Sequence, residues 1–515
     1  MAWLHTNSRW IVGEDNVRVK LTCVNWPSHL DTMVPEGLNK QPVEGIVQRI
    51  SSMGFNCVRL TWALYMATDE SYSTNMTVQQ MFHNLNLNDV LVGIAQKNPD
   101  ILDLVIVDAF KHVLDWLGKY KVMVIVDNHI SKPGWCCNEK DGNGFFNDPD
   151  FDPDVWIRGL AQMAIWVKDL PYVVGMSLRN ELRGPRENVD DWFRYMERGA
   201  SAVNAINPNV LVILSGLNFD NDLSFLRDKK PVIEFQGKLV FELHWYSWTD
   251  NSIWSHNSNK ACNIALRARY NGGGGFLVDQ GFPLFISEFG VDQTGSNTGD
   301  NKYLICFSSV AALFDWDWAL WTLGGSYYVR EGVLDHDETY AILDANWDQP
   351  RNPRFKNIIS GLQYVFGGPG GGPTYYWVIF HPSTSLCVIE QTETEPLKLG
   401  PCDKSQAWDY TTAEKILRLS GKSLCLQADG LGKPVKLGRN CDDPSSKWQM
   451  ISDSYLHLST DGTSCLDIDS SNTIVTNPCK CLSDDNCDPF DQWFRIVQSS
   501  RSYDDHLPHR NQTLT

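Results

Sequence analysis

The first 365 residues alternate short apolar runs with longer stretches in which apolar residues recur at helical spacing. This alternation is typical of repeated βα units and predicts a parallel sheet. The predicted strands are 19–24, 56–60, 122–126, 173–179, 210–214, 239–243, 284–287 and 319–323. Amphipathic helices are predicted between them, for example over 103–117 and 156–168. Eight strands over roughly 300 residues predict an α/β fold, a (β/α)8 TIM barrel with insertions.

An open, doubly wound sheet is the alternative to the barrel. That fold favours a glycine-rich phosphate-binding turn directly after an early strand. The glycine run 272–275 follows no clear strand and is interpreted as a flexible loop. The barrel is therefore the preferred prediction.

Two of the predicted strands end in a glutamate. The run 173–179 leads directly into Asn180 and Glu181, and the run 283–287 leads into Glu288. A buried parallel strand presents catalytic groups at its carboxyl end, although a core strand followed by a polar loop gives the same pattern. Two acids on two strand ends predict a carboxylate pair.

Other strand ends carry polar or aromatic residues as well. A single His or Arg near a strand end is more often structural than catalytic, but several such ends in register favour an active site. The residues at these ends are Arg59, Asp127, Asn128, His129, His244, Trp245, Tyr246 and Trp321.

The motifs VRL, DNH, RNEL, LHWY, SEFG and WALW, in this order across residues 15–365, resemble glycoside hydrolase family 5, the cellulase-like retaining β-glycosidases. The resemblance implies that Glu181 is the acid/base and Glu288 the nucleophile. The remaining active-site positions of the family match Arg59, His129, Asn180, His244, Tyr246 and Trp321. One departure is Leu182, which stands where the family usually has Pro and affects the loop after the acid.

Cleavage of an acetal at neutral pH needs a proton on the leaving oxygen and a negative charge beside the oxocarbenium-like transition state. We therefore expect neighbouring charges to keep Glu181 protonated while Glu288 is ionised. Arg59 and Tyr246 are suitable donors to the Glu288 anion, and Asn180 is placed to bind the sugar 2-hydroxyl.

Aromatic side chains are the expected stacking surfaces for sugars, although most Trp side chains simply fill a core. Trp321 is expected under the reacting ring. Trp62, Trp135 and Trp248 are proposed as surfaces for neighbouring sugars. The chain has 20 Trp, which is an unusually high count.

Charge and length limit the partners. The chain has 515 residues and a formal net charge of -18, with 44 Lys plus Arg against 62 Asp plus Glu, so nucleic acid and anionic membrane are not expected partners. No apolar stretch approaches the roughly 20 residues of a membrane span. A neutral polysaccharide or oligosaccharide fits better. We expect a monomer that needs no cofactor and no metal.

The loop 130–155 contains acids, but they lack the regular spacing of a calcium loop, so it is interpreted as an ordered rim of the cleft. Cys136 and Cys137 are adjacent within it. Because adjacent cysteines do not bridge easily, at least one of them is expected to pair elsewhere, with Cys262 as a candidate.

The cysteine content favours an oxidising compartment. Eight of the 14 Cys lie between Cys387 and Cys487, and the sequons at Asn75 and Asn511 are compatible with secretion. The N-terminus shows no charged segment followed by an apolar one, so no signal peptide is visible. We expect a secreted protein whose leader is missing from this sequence.

The sequence predicts four segments: a catalytic barrel over 1–365, a Gly/Pro linker over 366–374, a second domain over 375–498 and a disordered tail over 499–515. The second domain shows a weak internal repeat of about 40 residues. Its Cys-Leu-Asp and Gln-x-Trp motifs resemble a ricin-type β-trefoil lectin module, and each lobe would then close its own small disulfide.

The resemblance to this lectin module implies one surviving sugar site, in the third lobe. There Asp467 would accept hydrogen bonds from vicinal hydroxyls beside Gln492. The first lobe has Ile389 and the second has Gln427 at the Asp position. The alternative is that the module is a structural appendage and Asp467 an ordinary acid.

The sequence as a whole favours a secreted, retaining glycoside hydrolase, with an endo-β-1,4-glucanase acting on cell-wall polysaccharide as the leading hypothesis. The alternatives within enzymes are a β-mannanase and a β-glycosidase of small glycosides. From another class, the alternative is a catalytically silent, lectin-like protein; the acid pair argues against it.

Overall fold

The computed structural model describes residues 3–369, 375–391, 395–484 and 487–500. The chain divides into two compact units that interleave along the sequence. The first unit comprises residues 1–249, 268–296 and 316–353, and the second comprises 250–267, 297–315 and 354–515.

The first unit contains a closed barrel of parallel strands. Two short strands precede it, β1 (His5–Asn7) and β2 (Trp10–Val12). The barrel strands are β3 (Thr22–Trp26), β4 (Cys57–Ala63), β5 (Met123–Ile130), β6 (Val173–Ser177), β7 (Leu211–Leu214), β8 (Leu239–Trp245), β9 (Leu284–Phe289) and β10 (Asp317–Leu320). They pair in sequence order, and β10 closes the ring on β3. The predicted eight-stranded barrel is confirmed.

Some strands extend beyond their predicted ends, because polar residues there still pair with the neighbouring strand. The third predicted strand, 122–126, extends as β5 to Ile130, with Asp127 opposite Thr61 of β4. An apolar run marks only the part of a strand whose side chains lie in the core. Hydrogen bonds between backbones continue beyond it, which places His129 inside the strand.

The barrel interior below the strand ends is apolar. Its buried cluster includes Leu21, Ile125, Val174 and Phe285. Cys23 and Cys57 lie opposite each other on β3 and β4 and form a disulfide in this cluster. The antiparallel strands β11 (Ser326–Arg330) and β12 (Val333–Asp337) follow β10.

Twelve α-helices lie within the described residues. They are α1 (Val43–Ser52), α2 (Tyr65–Thr68), α3 (Glu70–Ser73), α4 (Val78–Asn84), α5 (Asn88–Lys97), α6 (Ile106–Lys119), α7 (Pro153–Val167), α8 (Val189–Ile206), α9 (Ser258–Asn271), α10 (Phe276–Asp279), α11 (Thr298–Phe314) and α12 (Pro353–Leu362). The predicted helices 103–117 and 156–168 correspond to α6 and α7. Helix α7 begins earlier than predicted because Asp152 caps it and Pro153 occupies its first turn.

Much of the second unit consists of short β-strands. They are β13 (Tyr376–His381), β14 (Leu386–Ile389), β15 (Lys398–Gly400), β16 (Trp408–Thr411), β17 (Ile416–Leu419), β18 (Cys425–Gln427), β19 (Lys436–Gly438), β20 (Gln449–Ile451), β21 (His457–Ser459), β22 (Ser464–Ile468), β23 (Ile474–Pro478) and β24 (Arg495–Ser499). Neighbouring strands pair antiparallel. This β-rich region agrees with the predicted trefoil.

Disulfides divide the β-rich region into three lobes. The bridges Cys387–Cys402, Cys425–Cys441 and Cys465–Cys479 confirm that each lobe closes its own disulfide. A further bridge, Cys481–Cys487, was not predicted. Trp408 and Trp448 lie in the apolar core shared by the lobes.

The cysteine pairing predicted for the 130–155 loop is wrong. Cys136 and Cys137 are bridged to each other, and Cys262 is bridged to Cys306. Cys262 lies on α9 and Cys306 on α11, in the second unit. Sequence order alone does not bring these two helices together, whereas packing does.

Parts of the predicted linker and tail lie outside the described residues, namely 370–374 and 501–515. The predicted domain boundaries therefore stay a prediction. Within the described part of the chain, every helix is too short or too polar to cross a membrane.

Candidate active site

Glu181 lies just past the end of β6, facing a cleft. Its backbone has φ = 42°, a left-handed conformation that residues with a side chain rarely adopt and that often marks functional sites. The Glu181 N–H donates to Asp220 Oδ2 at 3.2 Å, and His244 Nδ1 lies 2.9 Å from Glu181 Oε1. The side chain stays 17% exposed, so the carboxyl is open to the cleft.

Glu288 lies within β9 and is held by two donors. Arg59 donates to its Oε1 at 2.9 Å, and the Tyr246 hydroxyl donates to its Oε2 at 3.0 Å. Its side chain is only 6% exposed. These hydrogen bonds favour the ionised carboxylate and fix its orientation.

The two carboxyl groups face each other. One oxygen of Glu181, one oxygen of Glu288 and a ring nitrogen of His244 all lie within 4.8 Å of one another. The predicted carboxylate pair is therefore present in the fold, with His244 between its members.

Arg59 is fully buried beneath the pair. It donates to Asn25 Oδ1 and Asn180 Oδ1, each at 3.0 Å, and forms an ion pair with Asp127 at 3.0 Å. Glu242 lies 3.6 Å from the guanidinium. Although burial alone lowers the pKa of Arg59, the carboxylates of Asp127 and Glu242 raise it, so the guanidinium stays charged.

Burial raises the pKa of both cleft carboxyls. It brings the pKa of Glu181 to about 7, with Arg183 and Arg59 acting in the opposite direction. It also brings the pKa of Glu288 to about 7, against the lowering effect of His244 and Arg59. Because the two groups are neighbours, their protons leave in two steps that belong to the pair.

His129 and Trp321 form a stacked pair at the cleft floor. Their rings lie 5.5 Å apart at 16°. The Nδ1 atom of His129 lies 2.6 Å from Asp127 Oδ2, which fixes the ring orientation. Trp321 and His129 both line the cleft, as the sequence predicted.

Asn180 is less accessible than expected for a sugar ligand. Its side chain is buried at 1% exposure, with Oδ1 bonded to Arg59 and Nδ2 lying 3.7 Å from the sulfurs of both Cys136 and Cys137. The structure therefore places it directly behind the acid, in contact with the bridged cysteines.

The cleft has a volume of about 590 Å³, and several aromatic side chains line it. Trp248 is 56% exposed and stacks on Tyr246 at 4.2 Å, with Tyr340 at its edge. Trp135 also lines the cleft. The prediction for Trp62 is wrong: this side chain is fully buried and does not line the cleft.

The loop after β5 is ordered by its own hydrogen bonds. Asn143 Oδ1 accepts the Ser131 N–H at 2.9 Å, and Asp148 Oδ2 accepts the Phe145 N–H at 2.9 Å. Asp141 pairs with Arg183. Its polar side chains thus bind the loop and its neighbours, in agreement with the rim predicted from the sequence.

Family comparisons agree with this geometry. The family model described as "Cellulase (glycosyl hydrolase family 5)" matches residues 24–326. The model described as "Ricin-type beta-trefoil lectin domain" matches residues 376–487. A glycosyl hydrolase 5 family protein of Chamaecyparis obtusa is 43% identical over 523 residues, covering 97% of this chain and 93% of its own length. The chain belongs to glycosyl hydrolase family 5.

Two more distant proteins are also similar to this chain. An endoglucanase of Paenibacillus polymyxa is 20% identical over 383 residues, covering 70% of this chain and 88% of its own length. The structure of the Pyrococcus horikoshii endocellulase in complex with cellotetraose matches with a TM-score of 0.57 at 18% identity, covering 70% of this chain and 98% of that one. This last likeness shows the fold.

The position of Leu182, where family 5 usually has Pro, is fully buried. Its carbonyl accepts the Phe219 N–H at 2.9 Å. The departure from the family pattern is thus accommodated by packing against the loop after β7.

Three buried acids lie beside the acid pair: Asp127, Glu242 and Asp220. Asp127 was named from the sequence as a strand-end residue, whereas Glu242 and Asp220 were not named. Glu242 stands two residues before His244 in the run LVFELHW, so both face the same side of β8. That spacing could have identified Glu242. Asp220 follows β7 in a loop, and no pattern in the sequence marks it.

The predicted third-lobe sugar site has a buried carboxylate. Asp467 is 4% exposed, and its Oδ2 accepts hydrogen bonds from Gln492 Nε2 at 2.9 Å and Asn477 Nδ2 at 3.2 Å. Its Oδ1 accepts the Ile468 N–H at 2.7 Å. Asp467 and Gln492 are thus brought together as predicted, and a sugar role for them stays a prediction.

Proposed function

We propose that this family 5 protein is a retaining, endo-acting β-glycanase, with β-1,4-glucan as its leading substrate. The observation that carries the proposal is the separation of at most 4.8 Å between an oxygen of Glu181 and an oxygen of Glu288. Retaining glycosidases hold their carboxyls about 5–5.5 Å apart, whereas inverting ones leave about 6.5–9.5 Å for a water molecule. The short separation supports direct attack on the sugar.

In the first step Glu288 attacks the anomeric carbon, and the bond to the leaving oxygen breaks. Glu181 gives its proton to that oxygen, so the aglycone leaves as an alcohol. Arg59 and Tyr246 donate to Glu288 and favour its ionised form before the attack, against the opposite effect of burial on its pKa. Arg183 donates to the backbone carbonyl of Glu181, whereas the Glu181 carboxyl has no guanidinium donor among the hydrogen bonds of the described residues. This difference from Glu288 supports assigning the proton to Glu181.

In the second step Glu181, now a carboxylate, takes a proton from water. The water oxygen attacks the anomeric carbon and releases Glu288. His244 Nδ1 lies 2.9 Å from Glu181 and 3.6 Å from Glu288, so it contacts both acids through the cycle. Burial lowers the pKa of His244, which keeps the ring neutral between them.

The lining of the cleft supports a neutral carbohydrate chain. Trp321 lies beside the acid pair, and Trp135, Trp248 and Tyr340 extend the aromatic lining beyond it. Flat rings of this kind stack on sugar faces. The names of two similar proteins, an endoglucanase and an endocellulase, favour β-1,4-glucan over mannan or a small glycoside.

A substrate panel tests the proposal. Cellulose, mannan, glucomannan, xyloglucan and aryl β-glycosides are incubated with the protein and with Glu288→Gln as the matched inactive control. We expect internal cleavage of glucan with retained β-configuration in the first product, observed by NMR. Inverted product would exclude the mechanism, and silence on every substrate would favour the lectin-like alternative.

We also propose secretion and sugar binding by the C-terminal module. All 14 Cys are paired in disulfides, a pattern that is typical of proteins in an oxidising compartment. The match of residues 376–487 to a lectin domain supports carbohydrate as the partner of the second unit.

A further inference from the structure

Asp220 lies in an unusual turn after β7. Three consecutive residues, Asn218, Phe219 and Asp220, have φ values of 54°, 56° and 58°. A left-handed backbone is unfavourable for a residue with a side chain, so surrounding contacts must maintain such a turn. Asp220 is itself fully buried. The turn therefore has a conformation that needs an explanation.

The turn is bonded to the segment that carries the acid. The Phe219 N–H donates to the Leu182 carbonyl at 2.9 Å, and Asp220 Oδ2 accepts the Glu181 N–H at 3.2 Å. Glu181 also has a left-handed backbone, so two strained segments support each other. Without the Asp220 acceptor, the Glu181 N–H would lose the bond that fixes this conformation.

Asp220 also contacts His244, the second neighbour of the acid. The His244 N–H donates to the Asp220 carbonyl at 2.9 Å. The ring Nε2 of His244 lies 3.5 Å from Asp220 Oδ2, longer than a good hydrogen bond. Asp220 Oδ1 and His244 Nε2 are both buried without a hydrogen-bond partner among the described residues.

A buried polar atom without a hydrogen-bond partner costs free energy. Two such atoms beside Glu181 therefore need an explanation. A small closing movement would bring His244 Nε2 and the Asp220 carboxyl into hydrogen-bond range. Catalytic hydrogen bonds commonly tighten in this way once substrate is bound.

We propose that Asp220 is a positioning residue for the general acid: it holds the backbone of Glu181 and the ring of His244, so that the Glu181 carboxyl meets the leaving oxygen. The inference rests on the proposed function, because it assumes that Glu181 is the acid/base. Asp220 itself does not touch the reacting atoms. It acts only through Glu181 and His244.

The electrostatics of Asp220 agree with a structural acceptor rather than a charge. Burial, followed by the carboxyls of Glu242 and Glu181, raises the pKa of Asp220 well above its ordinary value. An amide has nearly the same shape as a carboxyl and keeps one acceptor oxygen. Asparagine at this position should therefore retain the acceptor for the Glu181 N–H.

The test compares Asp220→Asn and Asp220→Ala in the full chain. Each variant is assayed as kcat/KM on an unactivated oligosaccharide and on a 2,4-dinitrophenyl β-glycoside, whose leaving group needs no proton. Active sites are counted by trapping with a 2-deoxy-2-fluoro dinitrophenyl glycoside, which labels the nucleophile without the acid. Asp222→Asn is the control, since Asp222 caps the Ser224 N–H two residues away.

We expect Asp220→Ala to lose about 10–100-fold in kcat/KM on the oligosaccharide and less than about 3-fold on the dinitrophenyl glycoside. Asp220→Asn and Asp222→Asn should stay within about 3-fold of wild type on both substrates. The ratio of the two kcat/KM values is the decisive quantity, because a partly unfolded enzyme loses both equally.

Equal losses on the two substrates per trapped site would overturn the proposal, as would an Asp220→Ala variant with wild-type kinetics. Asp220→Ser replaces Asp220→Ala if the latter does not fold, and failure of both to fold would assign Asp220 to the fold alone. If trapping of wild type does not label Glu288, the proposed function fails independently of Asp220.

Discussion

The end of the barrel that carries Glu181 and Glu288 and the lobes of the C-terminal module bury different kinds of side chain. The barrel end encloses Arg59, Asp127 and Glu242 at 0% exposure, next to the acid pair. The lobes enclose Trp408 and Trp448, also at 0% exposure, in an apolar cluster. One region uses its interior to place charges, and the other uses it to hold short strands together.

The difference follows from how each region is stabilised. Burying charges costs free energy unless they are paired, and breaking such a pair is strongly destabilising. Eight mutually paired strands fix the backbone of the barrel, so it can carry these groups. The lobes have strands of three to six residues, so they depend on large apolar side chains and on disulfides.

The largest expected effect is the loss of kcat/KM on removing either carboxyl of the barrel, and it should differ between Glu288 and Glu181. Glu288→Gln should lower kcat/KM by about 10⁴-fold or more on every substrate, because no nucleophile remains. Glu181→Gln should cost about 10²–10⁴-fold on an oligosaccharide while sparing a dinitrophenyl glycoside. Steady-state kinetics on both substrates measure this. Equal losses in the two variants on both substrates would contradict the assigned roles.

The next effect compares a Trp→Ala substitution in each region, which should change the free energy of unfolding in one region and KM in the other. Trp448→Ala removes a fully buried ring and should cost about 3–5 kcal/mol in the free energy of unfolding of the second unit. Trp248→Ala removes a ring that is 56% exposed and should change KM rather than stability. Urea unfolding and kinetics on one preparation compare them. A Trp248→Ala variant with a lower free energy of unfolding would contradict the prediction that this ring affects KM alone.

Disulfides sharpen the comparison further. Replacing Cys425 and Cys441 by Ser opens a bridge with a sequence separation of 16 and should lower the free energy of unfolding by about 3 kcal/mol. Under mild dithiothreitol this bridge should also open before Cys23–Cys57, because Cys441 is partly exposed whereas Cys23 and Cys57 are both at 0% exposure. Alkylation followed by mass spectrometry reports the order. Earlier reduction of the barrel bridge would show that exposure does not control access.

A smaller effect concerns the pH dependence of stability. The folded pKa of Glu181 is raised to about 7, so its contribution to stability is full below its ordinary pKa and is lost as the pH rises through about 7. Glu181→Gln should therefore stabilise the protein by about 2–3 kcal/mol at pH 8 and by nothing at pH 4.

The control for this effect is Glu414→Gln, which changes an exposed carboxyl of the second unit. Thermal unfolding is compared at the two pH values. A stabilisation of Glu181→Gln that does not depend on pH would exclude burial of the charge as its cause.

The smallest expected effect lies in the third lobe. Asp467→Ala should abolish weak, millimolar binding of galactosides or glucans by the second unit. Binding is measured by NMR titration, and every chain also carries Glu288→Gln so that it does not cleave the sugar. The matched variant is Asp469→Ala, an exposed acid two residues away that accepts the Ser471 and Thr473 N–H groups. The site would be excluded if binding persists in Asp467→Ala, or if neither the chain with Asp467 intact nor the Asp467→Ala chain binds any sugar.

Much of the barrel could be predicted from the sequence, because apolar runs that end in polar residues reflect buried parallel strands directly. Glu181 and Glu288 follow from that pattern alone. The Trp62 prediction failed because an aromatic residue in a one-dimensional sequence does not show which way its ring points. Trp135 and Trp248 line the cleft, and their role in stacking on sugars stays a prediction.

The sequence by itself determined the eight strands, the acid pair at their ends and the three repeated lobes, because each is set by local alternation or spacing. Only the tertiary structure decided that Cys262 pairs with Cys306, that Glu242 and Asp127 hold Arg59, and that Asp220 reaches Glu181. These contacts join residues 39 or more positions apart, and their partners are chosen by the closure of the barrel and the packing of its helices.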